Sequence, residues 1–104
     1  MLVDYPNYGP YLIGGKNVAY GSGTWATDPY SHAEGASTRA RGRCAHAEGS
    51  GTTAVYCAHA EGISTVALNE GSHAEGHQAG TYGLYSHAEG VNTIAEGQGA
   101  HAEG

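Results

Sequence analysis

The tetrapeptide His-Ala-Glu-Gly occurs six times in this chain, beginning at His32, His46, His59, His73, His87 and His101. Successive copies stand 14, 13, 14, 14 and 14 residues apart. A motif recurring at a near-fixed period marks a repeat architecture, in which each unit buries its inner face only by stacking on its neighbours. A unit of this length is too short for a helical hairpin, which needs about 34 residues. It suits two short strands joined by two tight turns.

The remainder of each unit is also patterned. Six residues after the His stand Thr38, Thr52, Thr65, Ala79 and Thr93; eight after it stand Ala40, Ala54, Ala67, Thr81 and Ala95. The residue before the His is Ser31, Ala45, Ala58, Ser72, Ser86 or Ala100, always small. Ten after the His come Gly42, Asn69, Gly83 and Gly97, a slot lost in the shortened unit. Asn in place of Gly predicts positive φ at that slot. Gly21, Gly35, Gly49, Gly62, Gly76 and Gly90 close the first half of each unit. They are predicted turn glycines, with positive φ or a close approach between coils. Val18-Ala19-Tyr20-Gly21, 14 residues before His32, is a diverged first copy, with Thr24 and Ala26 in register. Residues 18–104 are therefore read as the repeat array, about six to seven coils. Residues 1–17, with Pro6, Pro10 and Gly14-Gly15, are read as an N-terminal cap or joining segment.

Both halves of the unit alternate with period two, the signature of a strand. The expected fold is all-β: a parallel β-solenoid of 14-residue coils stacked at about 4.8 Å, giving a rod of roughly 30 Å. Ser31, Ala33 and Gly35 would face Thr38, Ala40 and Gly42 across a thin interior. Composition agrees. Leu, Ile, Val and Phe together number 12 among 104 residues, against 18 Gly. So few large aliphatics ordinarily mean disorder, and regular repetition with chain-to-chain assembly is one way out. The variable residues Arg39, Val66, Gly80 and Ile94 are assigned to a solvent face. His32, His46, His59, His73, His87 and His101 share the opposite face with Glu34, Glu48, Glu61, Glu75, Glu89 and Glu103, because residues two apart on a strand point the same way. This ladder is expected to meet other chains. Carboxylates placed there would be costly unless paired, and the His beside each Glu is the available partner.

Several classes are disfavoured. Net charge is −6 with four basic residues, which leaves no basic stripe for nucleic acid. No run of 18 apolar residues is present, so no membrane insertion is expected, and Met1–Asp4 does not open a signal peptide. Six copies of His-x-Glu argue against a single catalytic centre, and no Pro-Cys-x-x-Cys follows as in a zinc deaminase. The chain is not expected to be an enzyme, and no cofactor is expected. Stacked His could hold a transition metal, but a hydrogen-bonded His–Glu ladder without metal is preferred. Thr24, Thr38, Thr52, Thr65 and Thr93 form a ladder of the kind an ice-binding solenoid displays, although Ala as its partner favours an inward orientation. Arg39, Arg41 and Arg43 alternate on one face and could meet an anionic glycan or simply be solvated. Cys44 and Cys57 each precede a repeat His by two residues and should stack on adjacent coils, at a spacing that admits a disulfide, with free thiols preferred for assembly in a reducing compartment.

The array resembles the head repeats of trimeric autotransporter adhesins, in which a Val-Ala-Ile-Gly-like tetrapeptide alternates with a Ser-x-Ala-x-Gly half; Val18–Gly21 is close to that form. The Ser-His-Ala-Glu-Gly version at Ser31–Gly35 and Ser86–Gly90 looks more like repeats of bacteriophage and prophage tail-fibre proteins. The resemblance implies a left-handed β-roll assembled as a homotrimer. It implies a structural and adhesive role in host attachment, with other fibre or baseplate proteins and a host surface receptor or glycan as partners. Location in a virion tail fibre follows from it, with a bacterial surface adhesin head as the alternative.

Overall fold

The computed structural model describes residues 11–12 and 18–104; the cap assigned to 1–17 lies outside them apart from a short strand at Tyr11–Leu12. Each unit folds into one five-residue strand and one two-residue strand, because small alternating residues run between backbone reversals. The long strands are β2 (Val18–Ser22), β4 (His32–Ala36), β6 (His46–Ser50), β8 (His59–Ile63), β10 (His73–His77) and β12 (His87–Val91), with β14 (His101–Glu103) closing the series. The short ones are β1 (Tyr11–Leu12), β3 (Trp25–Ala26), β5 (Arg39–Ala40), β7 (Thr53–Ala54), β9 (Val66–Ala67), β11 (Gly80–Thr81) and β13 (Ile94–Ala95). No helix occurs among the described residues.

Odd and even strands form two separate seven-stranded parallel sheets. The register is identity on identity: His32 pairs with His46, Ala33 with Ala47, Glu34 with Glu48 and Gly35 with Gly49. The result is a parallel β-solenoid, 38 × 22 × 15 Å. Turns join the ladder too. Ser37 N–H donates to Ser22 O at 2.8 Å, and Cys57 N–H to Arg43 O at 2.8 Å. The shortened unit loses its residue in the turn after β7. There Ala58 N–H donates to Val55 O at 2.7 Å, where the preceding coil uses Ala45 N–H and Gly42 O at 3.1 Å. Register is thereby kept, with His46 on His59.

The interior holds nothing larger than threonine. Its buried apolar members are all alanine, and its largest fully buried side chains are Thr24, Thr38, Thr52, Thr65 and Thr81. A buried alanine methyl contributes about 0.8 kcal/mol, against about 1.5–3 for a large aliphatic. The exposed area of 5556 Å² is ordinary for 10.6 kDa. Coil stacking therefore hides surface as well as a usual fold does, but much of what it hides is backbone. Ser31, Ser72 and Ser86 sit at the turn into the long strand, their hydroxyls donating to Asp28 O, Asn69 O and Gly83 O at 2.6, 2.6 and 2.7 Å.

Three expectations need correcting. Gly35 is exposed, not interior, and its column lies within the long strands: β4 continues to Ala36 and pairs throughout. These glycines bend the strand at φ of 117–122° while the turns follow at Ser37, Ser64, Gln78 and Asn92, with φ of 57–61°. The slot of Gly42, Asn69, Gly83 and Gly97 is not left-handed. The left-handed residues of that turn are instead Tyr30, Cys44, Cys57, Gly71, Tyr85 and Gly99. Gly42 and Gly83 are buried, and a side chain there would strike the backbone of Tyr56 or Gly97. Asn69 is accommodated by donating Nδ2–H to Tyr82 O at 2.9 Å. Gly80, assigned to solvent, is buried, with the Tyr82 ring beside it.

Candidate functional site

The long-strand sheet carries the His–Glu ladder on its outer face. Within each strand the Ala between His and Glu is fully buried, as at Ala33, Ala47, Ala60, Ala74 and Ala88. Alternation then turns both polar neighbours outward on the same side. His32 Nε2 lies 2.6 Å from Glu34 Oε1, and the same distance recurs for His46–Glu48 and His59–Glu61. His73–Glu75, His87–Glu89 and His101–Glu103 follow at 2.7, 2.8 and 3.0 Å.

Identity-on-identity register stacks the imidazoles into a continuous column. Ring centroids are 4.5–4.8 Å apart, and the planes differ by 5–13°. The side chains of the first five His are 35–37% exposed, whereas His101, on the last described coil, is 55% exposed. Each ring is thus shielded by its neighbours and open on its outer edge. Val18 and Tyr20 continue the two columns below His32 and Glu34, so the ladder ends in an apolar pair.

Four His–Glu–His sets have ligand atoms within 4.8 Å of one another: His46/Glu48/His59, His59/Glu61/His73, His73/Glu75/His87 and His87/Glu89/His101. Stacking works against chelation. A metal lies in the plane of its imidazole at about 2.0–2.1 Å from nitrogen, and stacked, nearly parallel rings with centroids 4.5 Å or more apart do not converge on one ion. Holding a metal would require one ring to leave the column and its Glu partner. The ladder's evident capability is repetitive pairing, with imidazole and carboxylate edges presented at one strand spacing.

The Thr ladder is fully buried at Thr24, Thr38, Thr52 and Thr65, so it offers no surface to ice. Cys44 and Cys57 are free and exposed at successive left-handed corners. Partial desolvation and the neighbouring Cys44 thiol push the Cys57 thiol up from its ordinary value, and the Glu70 charge adds to this. Gly21, Gly35, Gly49, Gly62, Gly76 and Gly90, expected in turns, stack within the long strands as one column in which each would collide with the next carbonyl if it bore a side chain.

Sequence reasoning missed how the large apolar residues are distributed. Among the described residues none is in the core. Tyr20, Tyr30, Tyr56, Ile63, Tyr85, Val91 and Ile94 are all more than half exposed. Their scatter through the variable slots gives no period to detect, but each falls in a slot whose side chain must point out. No protein-family model matches the chain, and no curated protein matches it in sequence. No helix among the described residues is long and apolar enough to cross a membrane.

Proposed function

We propose that this chain is a structural and adhesive segment of an elongated homotrimeric fibre, a left-handed β-roll whose His–Glu faces meet around the fibre axis. The observation that carries the reading is the inversion of side-chain size. The interior holds Ala, Ser and Thr, while the large apolar groups and an unbroken polar ladder lie outside. A small alanine core stabilises a lone chain weakly, and an outward ladder repeated coil on coil presents the same pairing edges from every copy arranged around a common axis. The fibre would hold a receptor-binding tip away from a particle or offer its own flank to a host surface. The Ser-His-Ala-Glu-Gly pattern favours a phage tail fibre in the virion, joined to other fibre or baseplate proteins. Val18-Ala19-Tyr20-Gly21 supports a bacterial adhesin head as the second reading. Nothing in this role calls for catalysis. Mass measurement of the intact assembly tests it: three chains are expected, and a well-folded monomer in dilute buffer refutes it.

A further inference from the structure

The chain's two cysteines both fall at its one shortened unit. Cys44 and Cys57 stand 13 residues apart, where the other repeat intervals are 14. Cys57 lies in the shortened turn itself and Cys44 in the full-length turn stacked against it. Cys57 N–H donates to Arg43 O at 2.8 Å and His46 N–H to Ala58 O at 2.9 Å, so the rung between these two bonds sets Cys44 beside Cys57. Each cysteine also precedes its repeat His by two residues, and His46 and His59 are register partners. Neighbouring rungs are about 4.8 Å apart, within the Cα separation of about 4.4–6.8 Å that a disulfide spans. Both residues are left-handed, with φ of 63° and 50°, and both lie in turns outside the two sheets. Their side chains therefore leave the rod in the same sense, and the Cys57 thiol has that of Cys44 as a hydrogen-bonding neighbour. Both thiols are free and exposed, within reach of a reagent from solvent.

We propose that Cys44 and Cys57 form a thiol–disulfide exchange site, which a low-molecular-weight disulfide closes into a covalent bond across the shortened coil. One cysteine thiolate attacks a sulfur of the small disulfide, forming a mixed disulfide and releasing one small thiolate. The second cysteine thiolate then attacks the protein sulfur of that mixed disulfide and expels the other half. The protein thiols together lose two electrons, the small disulfide is reduced to two thiols, and the two cysteine protons pass to them. The position gives the bond a structural consequence. A turn that has lost one residue is where a parallel stack is most easily displaced, because a slip in register there changes every pairing beyond it. A tie between that turn and its neighbour fixes His46 on His59. The other left-handed residues of this column, Tyr30, Gly71, Tyr85 and Gly99, cannot make such a tie. Both thiols belong to one chain, so the inference holds or fails independently of the trimer.

The test is incubation of the full chain with oxidised glutathione, followed by intact-mass measurement and peptide mapping. The wild type is expected to lose two hydrogens in mass, to retain no glutathione and to yield a linked peptide containing Cys44 and Cys57. Cys44→Ser and Cys57→Ser should each stop at a single glutathione adduct. Closure should raise the thermal midpoint by about 10 °C, reversibly with dithiothreitol, since the bond removes freedom from the unfolded chain. It should also slow hydrogen exchange across residues 55–58. Neither cysteine enters the core, and circular dichroism checks that the Ser variants keep the wild-type fold. Wild-type chain that retains glutathione on either cysteine, links between chains in place of the intrachain peptide, thiols left intact at millimolar oxidised glutathione, or a midpoint that closure does not raise each overturns the assignment.

Discussion

Replacing Gly62 by alanine should damage the rod out of proportion to the single methyl added. Gly62 sits mid-array with φ of 118°, a conformation L-residues rarely adopt. Its new Cβ would strike the carbonyl oxygen of Gly76 on the next coil, with Gly76 N and C each 2.9 Å away. Backbone strain of this kind costs about 1–3 kcal/mol. Forcing apart two close-packed backbones adds about 1–3 kcal/mol more. The sum, about 2–6 kcal/mol, is a large share of the 5–15 kcal/mol typical of a folded domain. Two controls separate the terms. Gly99 also has positive φ, 70°, but an added Cβ there meets nothing within 4 Å, so Gly99→Ala should cost only about 1–2 kcal/mol. Ile63 is 53% exposed, and Ile63→Ser should stay within about 0.5 kcal/mol. Thermal melting should rank the losses Gly62, then Gly99, then Ile63. Because each coil contacts only its neighbours, hydrogen exchange in Gly62→Ala should speed up on the flanking coils first. Equal melting losses for Gly62→Ala and Gly99→Ala would show that the inter-coil collision is not what the glycine column avoids.

Other consequences can be measured directly. Thr52 Oγ1 is buried without a hydrogen-bond partner, whereas Thr65 Oγ1 donates to Glu61 O at 3.2 Å. Thr52→Val should therefore raise stability by about 1 kcal/mol in denaturant titration while Thr65→Val does not; matching effects would contradict the hydroxyl assignment. Glu61→Gln with Glu75→Gln should cost an isolated chain at most about 1 kcal/mol per pair, as expected of half-exposed pairs, yet should dissociate the proposed trimer, read by sedimentation. An unchanged assembly mass would remove the ladder from the interface. The raised Cys57 thiol should alkylate more slowly than Cys44 near neutral pH, by mass-resolved labelling. Folding favours its protonated form, so any stabilisation from this group is present below the unfolded thiol value and is lost as pH rises through the folded one. Faster labelling of Cys57 would reverse that order.

The coil, its stacking and the inward or outward sense of most residues were legible in the sequence, because a period-two pattern repeated at a fixed interval leaves little freedom. His32 and Glu34 could be placed on one face from spacing alone. The corners were harder to read. A glycine can answer a demand for positive φ, for room or for both, and the letter does not say which. The Gly35 column answers both inside a strand, whereas Gly42 and Gly83 answer only the second. The true left-handed corners hold Gly23, Ser37, Gly51, Ser64, Gln78 and Asn92 in one column and Tyr30, Cys44, Cys57, Gly71, Tyr85 and Gly99 in the other, so the Gly and Asn that favour positive φ mark each column at only some of its coils.

Identity-on-identity register also makes growth of this molecule unusually simple. The upper surface of each His-Ala-Glu-Gly strand fits the lower surface of any other, since His meets His, Ala meets Ala and Glu meets Glu at each of these steps. Removing or duplicating a whole unit therefore creates no new kind of junction. Length becomes a count of copies, adjustable in increments of about 4.8 Å. Unequal recombination between near-identical repeats could lengthen or shorten such a rod without an intermediate that fails to fold.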